Sequence, residues 1–139
     1  MEHIAILSKE KKFLDKILSG EKKIESRWYV HKKPPYNSIK RAEIIYFKES
    51  GQPIKIKAEV EQVLFIENLN IEKIKQIIKK YGKEICINMD YLNDIKDKKY
   101  CTLIFLKNVK GIKPFDINKN GFGNMAAWII VEDINKIKQ

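Results

Sequence analysis

Apolar residues in this 139-residue chain fall into two helical stripes and several short alternating runs. Residues 3–7 read as an apolar strand. Ser8 then offers a side-chain oxygen as a helix N-cap, Glu10 sits in the first turn, and Phe13, Leu14, Ile17 and Leu18 recur on one face. Gly20 stands where that helix ends, at the position that favours a left-handed backbone. The segment 20–29, Gly-Glu-Lys-Lys-Ile-Glu-Ser-Arg-Trp-Tyr, continues as a short strand. Alternation puts Glu25, Arg27 and Tyr29 on one of its faces and Ile24, Ser26 and Trp28 on the other. The Cα atoms of Glu25 and Arg27 are then about 7 Å apart, so both side chains can enter one cavity. Lys22 has the opposite parity, and joins them only if the strand begins at Lys23 and the turn after Gly20 re-aims it.

Residues 30–39 form a loop in which Pro34 and Pro35 forbid regular pairing. Residues 42–48 are apolar on both faces, the mark of a strand covered on both sides. After a turn at 49–53, Ile54, Ile56, Ala58 and Val60 alternate with Lys55, Lys57 and Glu59. The continuous apolar run at 62–66 predicts a bulge or a passage into a barrel interior. Asn70 caps a second helix whose buried stripe is Ile71, Ile74, Ile77, Ile78 and Tyr81, and Gly82 is placed to end it. Residues 85–99 hold a short apolar contact at 85–87 and a helical turn near 91–95. A strand follows at 100–109. Gly111, Pro114, Gly121, Phe122, Gly123 and Asn124 then mark a long loop, residues 126–131 a last strand, and 133–138 a terminal turn. Five or six strands with two helices predict an α+β domain, closed or nearly closed into a barrel, with an OB-like barrel or an open sheet as pattern-level alternatives.

Charge changes the picture more than composition does. The formal net charge is +10, and all three thirds of the chain carry part of the excess, so the basic character belongs to a folded surface and not to a tail. Such a surface favours a polyanion, nucleic acid first among them. Between Glu25 and Glu43 there is no acidic residue, while Arg27, Lys32, Lys33, Lys40 and Arg41 accumulate beside Trp28, Tyr29 and Tyr36. Cations for phosphates next to rings for bases suit an unpaired nucleotide. Trp28 shares the parity of Ile24 and reads as core, which leaves Tyr36 as the better stacking candidate. Arginine occurs only at positions 27 and 41 in a chain with 26 lysines. Two exceptions of that kind point to a need for a planar, bidentate donor, or, at Arg27, for an ion pair with Glu25 that seals a barrel rim.

Cys86 and Cys101 form no metal-ligand spacing with His3 and His31, and the sequence calls for no metal or cofactor. Met1-Glu2-His3 opens no basic, apolar leader, and no apolar segment reaches bilayer length, so a soluble cytoplasmic protein without membrane contact is expected.

The spacing G-x-K-x-x-E-x-R followed by tryptophan, carried by Gly20, Lys22, Glu25, Arg27 and Trp28 on a helix–turn–strand, resembles the ASCH domain of the PUA-like superfamily. The resemblance implies one domain over residues 1–139, a PUA-like β-barrel of five to six strands, and helices packed at its openings. It also implies RNA or a modified nucleoside as partner, with Lys22, Glu25 and Arg27 lining a cleft. In that setting Arg27, Tyr29, Lys32, Lys33, Tyr36, Lys40 and Arg41 are the expected nucleic-acid contacts. The alternative that the family offers is an enzyme: an amidohydrolase acting on N4-acylated cytidine, or a ribonuclease, with Lys22, Glu25 and Arg27 catalytic. Members that hydrolyse acylcytidine carry threonine where this chain has Glu25, so the expected nucleophile is absent. A protein-interaction module with an inherited barrel is a third reading.

Overall fold

The described residues, 1–123 and 126–139 of a computed structural model, form six strands and three helices. In chain order these are β1 (Glu2–Leu7), α1 (Phe13–Ser19), β2 (Ile24–Tyr29), β3 (Ile44–Glu49), β4 (Ile54–Ile66), α2 (Ile71–Ile85), α3 (Leu92–Ile95), β5 (Tyr100–Phe115) and β6 (Trp128–Val131). One mixed sheet runs β2-β5-β4-β3-β1-β6 and curls into a half-barrel, with β1 and β3 parallel and every other pair antiparallel. The expected barrel is therefore present as a curled sheet whose edge strands are β2 and β6.

Side-chain parity divides the sheet cleanly. Ala5 and Leu7, Ile45 and Phe47, Ile56, Ala58 and Val60, and Ile104 and Leu106 meet on the concave face, where Leu14 and Ile17 of α1 plug the core. On the other face of β2 and β5, Ile24, Trp28, Cys101 and Leu103 pack against Ile74, Ile77 and Ile78 of α2 and Ile95 of α3. The C-terminal turn brings Ile134 over Ile4, Tyr46 and Ile129 on the far side of β1, β3 and β6. Each helix thus covers apolar strand surface that alternation alone would leave wet.

Three boundaries differ from the sequence reading, each for a local reason. Ser8 does not cap α1: its hydroxyl takes the Glu10 amide in a tight turn, and the helix starts five residues later behind Lys12, which has φ 55°. Gly20 does end α1, with φ 85°. Gly82 does not end α2, which runs on to Ile85 and stops at Cys86 in the left-handed region. The glycine is needed for space, because a Cβ there would lie 2.7 Å from the Ile87 carbonyl oxygen. We expect Gly82→Ala to lower stability by about 1–3 kcal/mol, the cost of forcing backbone apart in a packed region. A melting temperature unchanged from the parent would show that the helix end yields freely. Finally, β5 continues through Gly111 and Pro114 to Phe115. Its pairing with β4 jumps from Ile56↔Gly111 to Ile54↔Phe115, so the proline sits in a bulged stretch that asks for no ladder amide. The expected bulge near residue 62 is a register shift between Val60 and Gln62. Asn124 of the expected glycine loop lies outside the described residues.

Candidate functional site

Strand β2 is an edge strand, and its concave-facing residues reach the seam where β1 and β6 lie opposite. Pairing of Glu25 with Ile104 and of Arg27 with Thr102 fixes both charged side chains on the core side of the sheet. Glu25 is only 2% exposed. Its Oε2 accepts from Arg27 Nη2 at 3.0 Å, and its Oε1 accepts the Ser26 amide at 3.1 Å with Lys22 Nζ at 3.4 Å. Burial by itself would raise the Glu25 pKa, but Arg27 first and Lys22 second pull it below the usual carboxylate value. Glu25 is an anion held between two cations.

Arg27 does more than pair. Its Nη1 donates to the Ala127 carbonyl at 3.3 Å and its Nη2 to the Ile6 carbonyl at 3.2 Å, so the guanidinium bridges from β2 to β1 and to the residue before β6. The same plane lies over the Trp128 ring, 5.1 Å from its centroid. Burial disfavours its charge, yet Glu25 and then Tyr29 raise its pKa above the ordinary arginine value. Three of its five N–H groups are spent in these bonds, and the Tyr29 side chain lies within hydrogen-bonding reach of the guanidinium.

Lys22 is 1% exposed and takes no part in lining the cleft. Its Nζ donates to the carbonyls of Ile24 at 2.9 Å and Ile85 at 2.7 Å, faces Glu25, and lies 4.4 Å from the Phe13 ring centroid. Burial outweighs the neighbouring carboxylate and lowers its pKa from the usual lysine value. Three acceptors around one nitrogen still demand three hydrogens, which only the ammonium form supplies. The turn after Gly20 does re-aim the side chain, but into the protein.

The cleft in front of the pair has a volume of about 330 Å³. Phe13, Trp28, Tyr29 and Tyr91 give it aromatic walls, and Lys11 and Lys98 stand at its margin with Glu10 and Asp94. A second cavity of about 420 Å³ adjoins it, sharing Lys11, Phe13 and Tyr91. The Lys11 ammonium rests 4.7 Å from the Tyr91 ring centroid, between the two spaces.

The remaining predicted contacts scatter. Tyr29 is half-buried, lines the cleft and carries Lys33 Nζ at 4.4 Å from its ring centroid. Lys32 sits over Tyr100. Tyr36 is not an open platform: it is 8% exposed and wedged edge-on against Phe65 and Tyr100, with centroids 5.4 and 5.1 Å away. Lys40 and Arg41 are exposed and line no part of the cleft. Trp28 is core, with its indole N–H donated to Ser26 Oγ at 2.9 Å.

Sequence reasoning did not find the support beneath Arg27. The Trp128 indole donates to His3 Nδ1 at 3.1 Å, and His3 Nε2 meets Glu43 Oε1 at 2.9 Å. An indole can only donate, so Nδ1 is bare and the imidazole is neutral with its proton on Nε2. Burial lowers the His3 pKa, with Glu43 opposing. One polar residue inside an apolar strand was the only sequence signal for this chain of contacts.

No family model and no curated protein matches the sequence. The structure, however, is similar to the crystal structure of ASCH from Zymomonas mobilis, with a TM-score of 0.70 and 15% identity over 97% of this chain and 91% of that one. It is also similar to a serine-to-alanine mutant of the same protein, with a TM-score of 0.72 and 17% identity over 97% and 91% of the two chains. At such identities the likeness is one of fold. No helix among the described residues is long and apolar enough to cross a membrane.

Proposed function

We infer, from the ASCH-domain fold that this chain adopts and from the ion pair at its cleft, that it binds nucleic acid, with RNA or a modified nucleoside as ligand. The observation that supports this most is the ionised Glu25–Arg27 pair facing an aromatic-walled cleft of about 330 Å³. A planar base fits between such walls. The N–H groups of Arg27 outside its bonds to Ile6, Ala127 and Glu25 suit a base edge or a phosphate oxygen, and Glu25, which lines the cleft, suits an exocyclic amine. Lys32, Lys33, Lys40 and Arg41 supply attraction that does not depend on sequence. Lys22 belongs to this reading as a buried support for Glu25 and not as a ligand contact.

The enzymatic alternatives ask for a nucleophile or an activated water beside a base with an open lone pair. Lys22 has its nitrogen surrounded by acceptors, and Glu25 is held ionised by two cations. An anion so stabilised is a weak base, so binding without fast turnover is the reading that fits the geometry.

Titration of a fluorescent single-stranded RNA tests it. Affinity should fall steeply with salt, and Lys33→Ala should flatten the slope by about one counterion. Absence of binding to RNA and DNA at low salt would reduce the +10 charge to composition alone. Incubation with N4-acylated cytidines and short RNAs should leave them intact. Multiple turnover lost in both Lys22→Ala and Glu25→Ala would make the protein an enzyme.

A further inference from the structure

The rows of the sheet extend the cleft in one direction. Arg27 pairs with Thr102 and Thr102 with Phe65, so these three side chains share the concave face across β2, β5 and β4. In the next row Tyr29 pairs with Tyr100. Phe65 therefore stands two strand spacings from Arg27, about 10 Å, and Tyr100 one spacing, about 5 Å, from a residue that lines the cleft. The face that begins as an ion pair ends as a rim of rings.

That rim is built and not incidental. Phe65 is 38% exposed, an unusual state for phenylalanine on the core side of a sheet. Tyr36, nearly buried, is braced edge-on against Phe65 and Tyr100 at once, which holds both rings in place from below. Lys32 Nζ lies 5.8 Å from the Tyr100 centroid and Lys33 Nζ 4.4 Å from that of Tyr29. Exposed Lys99 and half-buried Lys98 add two more cations next to Tyr100 along the chain. The acids of the neighbourhood are Glu67, which acts on Tyr36, and Asp97, which precedes the two lysines.

We propose that Phe65 and Tyr100, braced by Tyr36 and flanked by Lys32 and Lys33, form a stacking platform for the nucleotides next to the one held in the cleft. The ligand is then a single-stranded nucleic acid and not a free nucleoside. This rests on the reading that the cleft accepts a nucleotide. The chemistry is a sequence-tolerant one: bases replace lysine ammonium groups over the rings, and the displaced ammonium groups turn to the phosphates between those bases. A double helix is excluded because its bases are already stacked. A protein partner is disfavoured, since it would have to bury several lysines against a small apolar rim.

The test compares a uridine mononucleotide, a dinucleotide and a short oligouridylate on the parent protein, Phe65→Ala and Tyr100→Leu. Both positions are partly open, so the variants should keep the parent's melting behaviour. On the parent, affinity should rise with length by about tenfold per stacked base. In both variants that gain should shrink by about the same factor, while mononucleotide binding stays unchanged. A length dependence identical in parent and variants overturns the platform and leaves the cleft reading intact. Absence of any binding by the parent overturns both. Loss of mononucleotide binding in the variants would place the rings inside the cleft site and also overturn the separate platform.

Discussion

Lys22→Ala should cost the fold about 3–5 kcal/mol, the loss typical of removing one partner from a buried ion pair. The substitution withdraws two donated hydrogen bonds and an ion pair at once. It leaves the Ile24 and Ile85 carbonyls without their donor, and Glu25 with Arg27 as its sole cation. Lys22→Met keeps most of the volume and should lose less, because only the polar part of the contact is removed. Acid attacks the same cluster from the other side. Since the Glu25 pKa is lowered, its contribution is complete above the ordinary carboxylate value of 4.5 and disappears as pH falls through the lower folded value. Urea titrations of the two variants, with the parent followed from neutral to acid pH, check this. A Lys22→Ala protein as stable as the parent would return Lys22 to the list of candidate ligand contacts.

Arg27→Lys should lower both stability and affinity. Arg27 donates to Ile6, Ala127 and Glu25 from one rigid fork, and a lysine brings a single point charge to that place. Charge-assisted hydrogen bonds contribute about 1.5–3 kcal/mol each, and an ammonium can recover the one to Glu25. A net loss of about 3 kcal/mol follows, the low end for two such bonds at 3.3 and 3.2 Å, together with at least a tenfold fall in RNA affinity from the missing bidentate donor. Equilibrium unfolding and anisotropy on one preparation separate the two effects. Weakened folding with affinity unchanged would mean that Arg27 only closes the seam, as the rim-sealing alternative has it.

Much of this was legible before any coordinates. Period-two alternation put Glu25 with Arg27 on one face of β2 and Trp28 with Ile24 on the other, located the core side of β4, and showed β3 to be covered on both faces. The bulge after Val60 was visible as a loss of alternation. What the sequence did not reveal depends on distances across the chain. Gly82 carried the sign of a helix end, yet its cause is a carbonyl five residues on that leaves no room for a methyl. Lys22 looked available because one of its acceptors, the Ile85 carbonyl, comes from an element sixty-three residues away. Tyr36 looked open for the same reason: Phe65 and Tyr100 close on it only when three segments meet.

One guanidinium ties the edge strand β2 to β1 and to the residue before the other edge strand, and also lines the cleft. Shape and affinity are therefore not independent properties of this molecule. A guest that occupies the spare N–H groups of Arg27 stiffens the latch between β2 and the β1–β6 pair. A guest that competes for Glu25 loosens it. Release of the ligand and the first parting of the half-barrel can then share one threshold, with the same side chain as bolt and as hand.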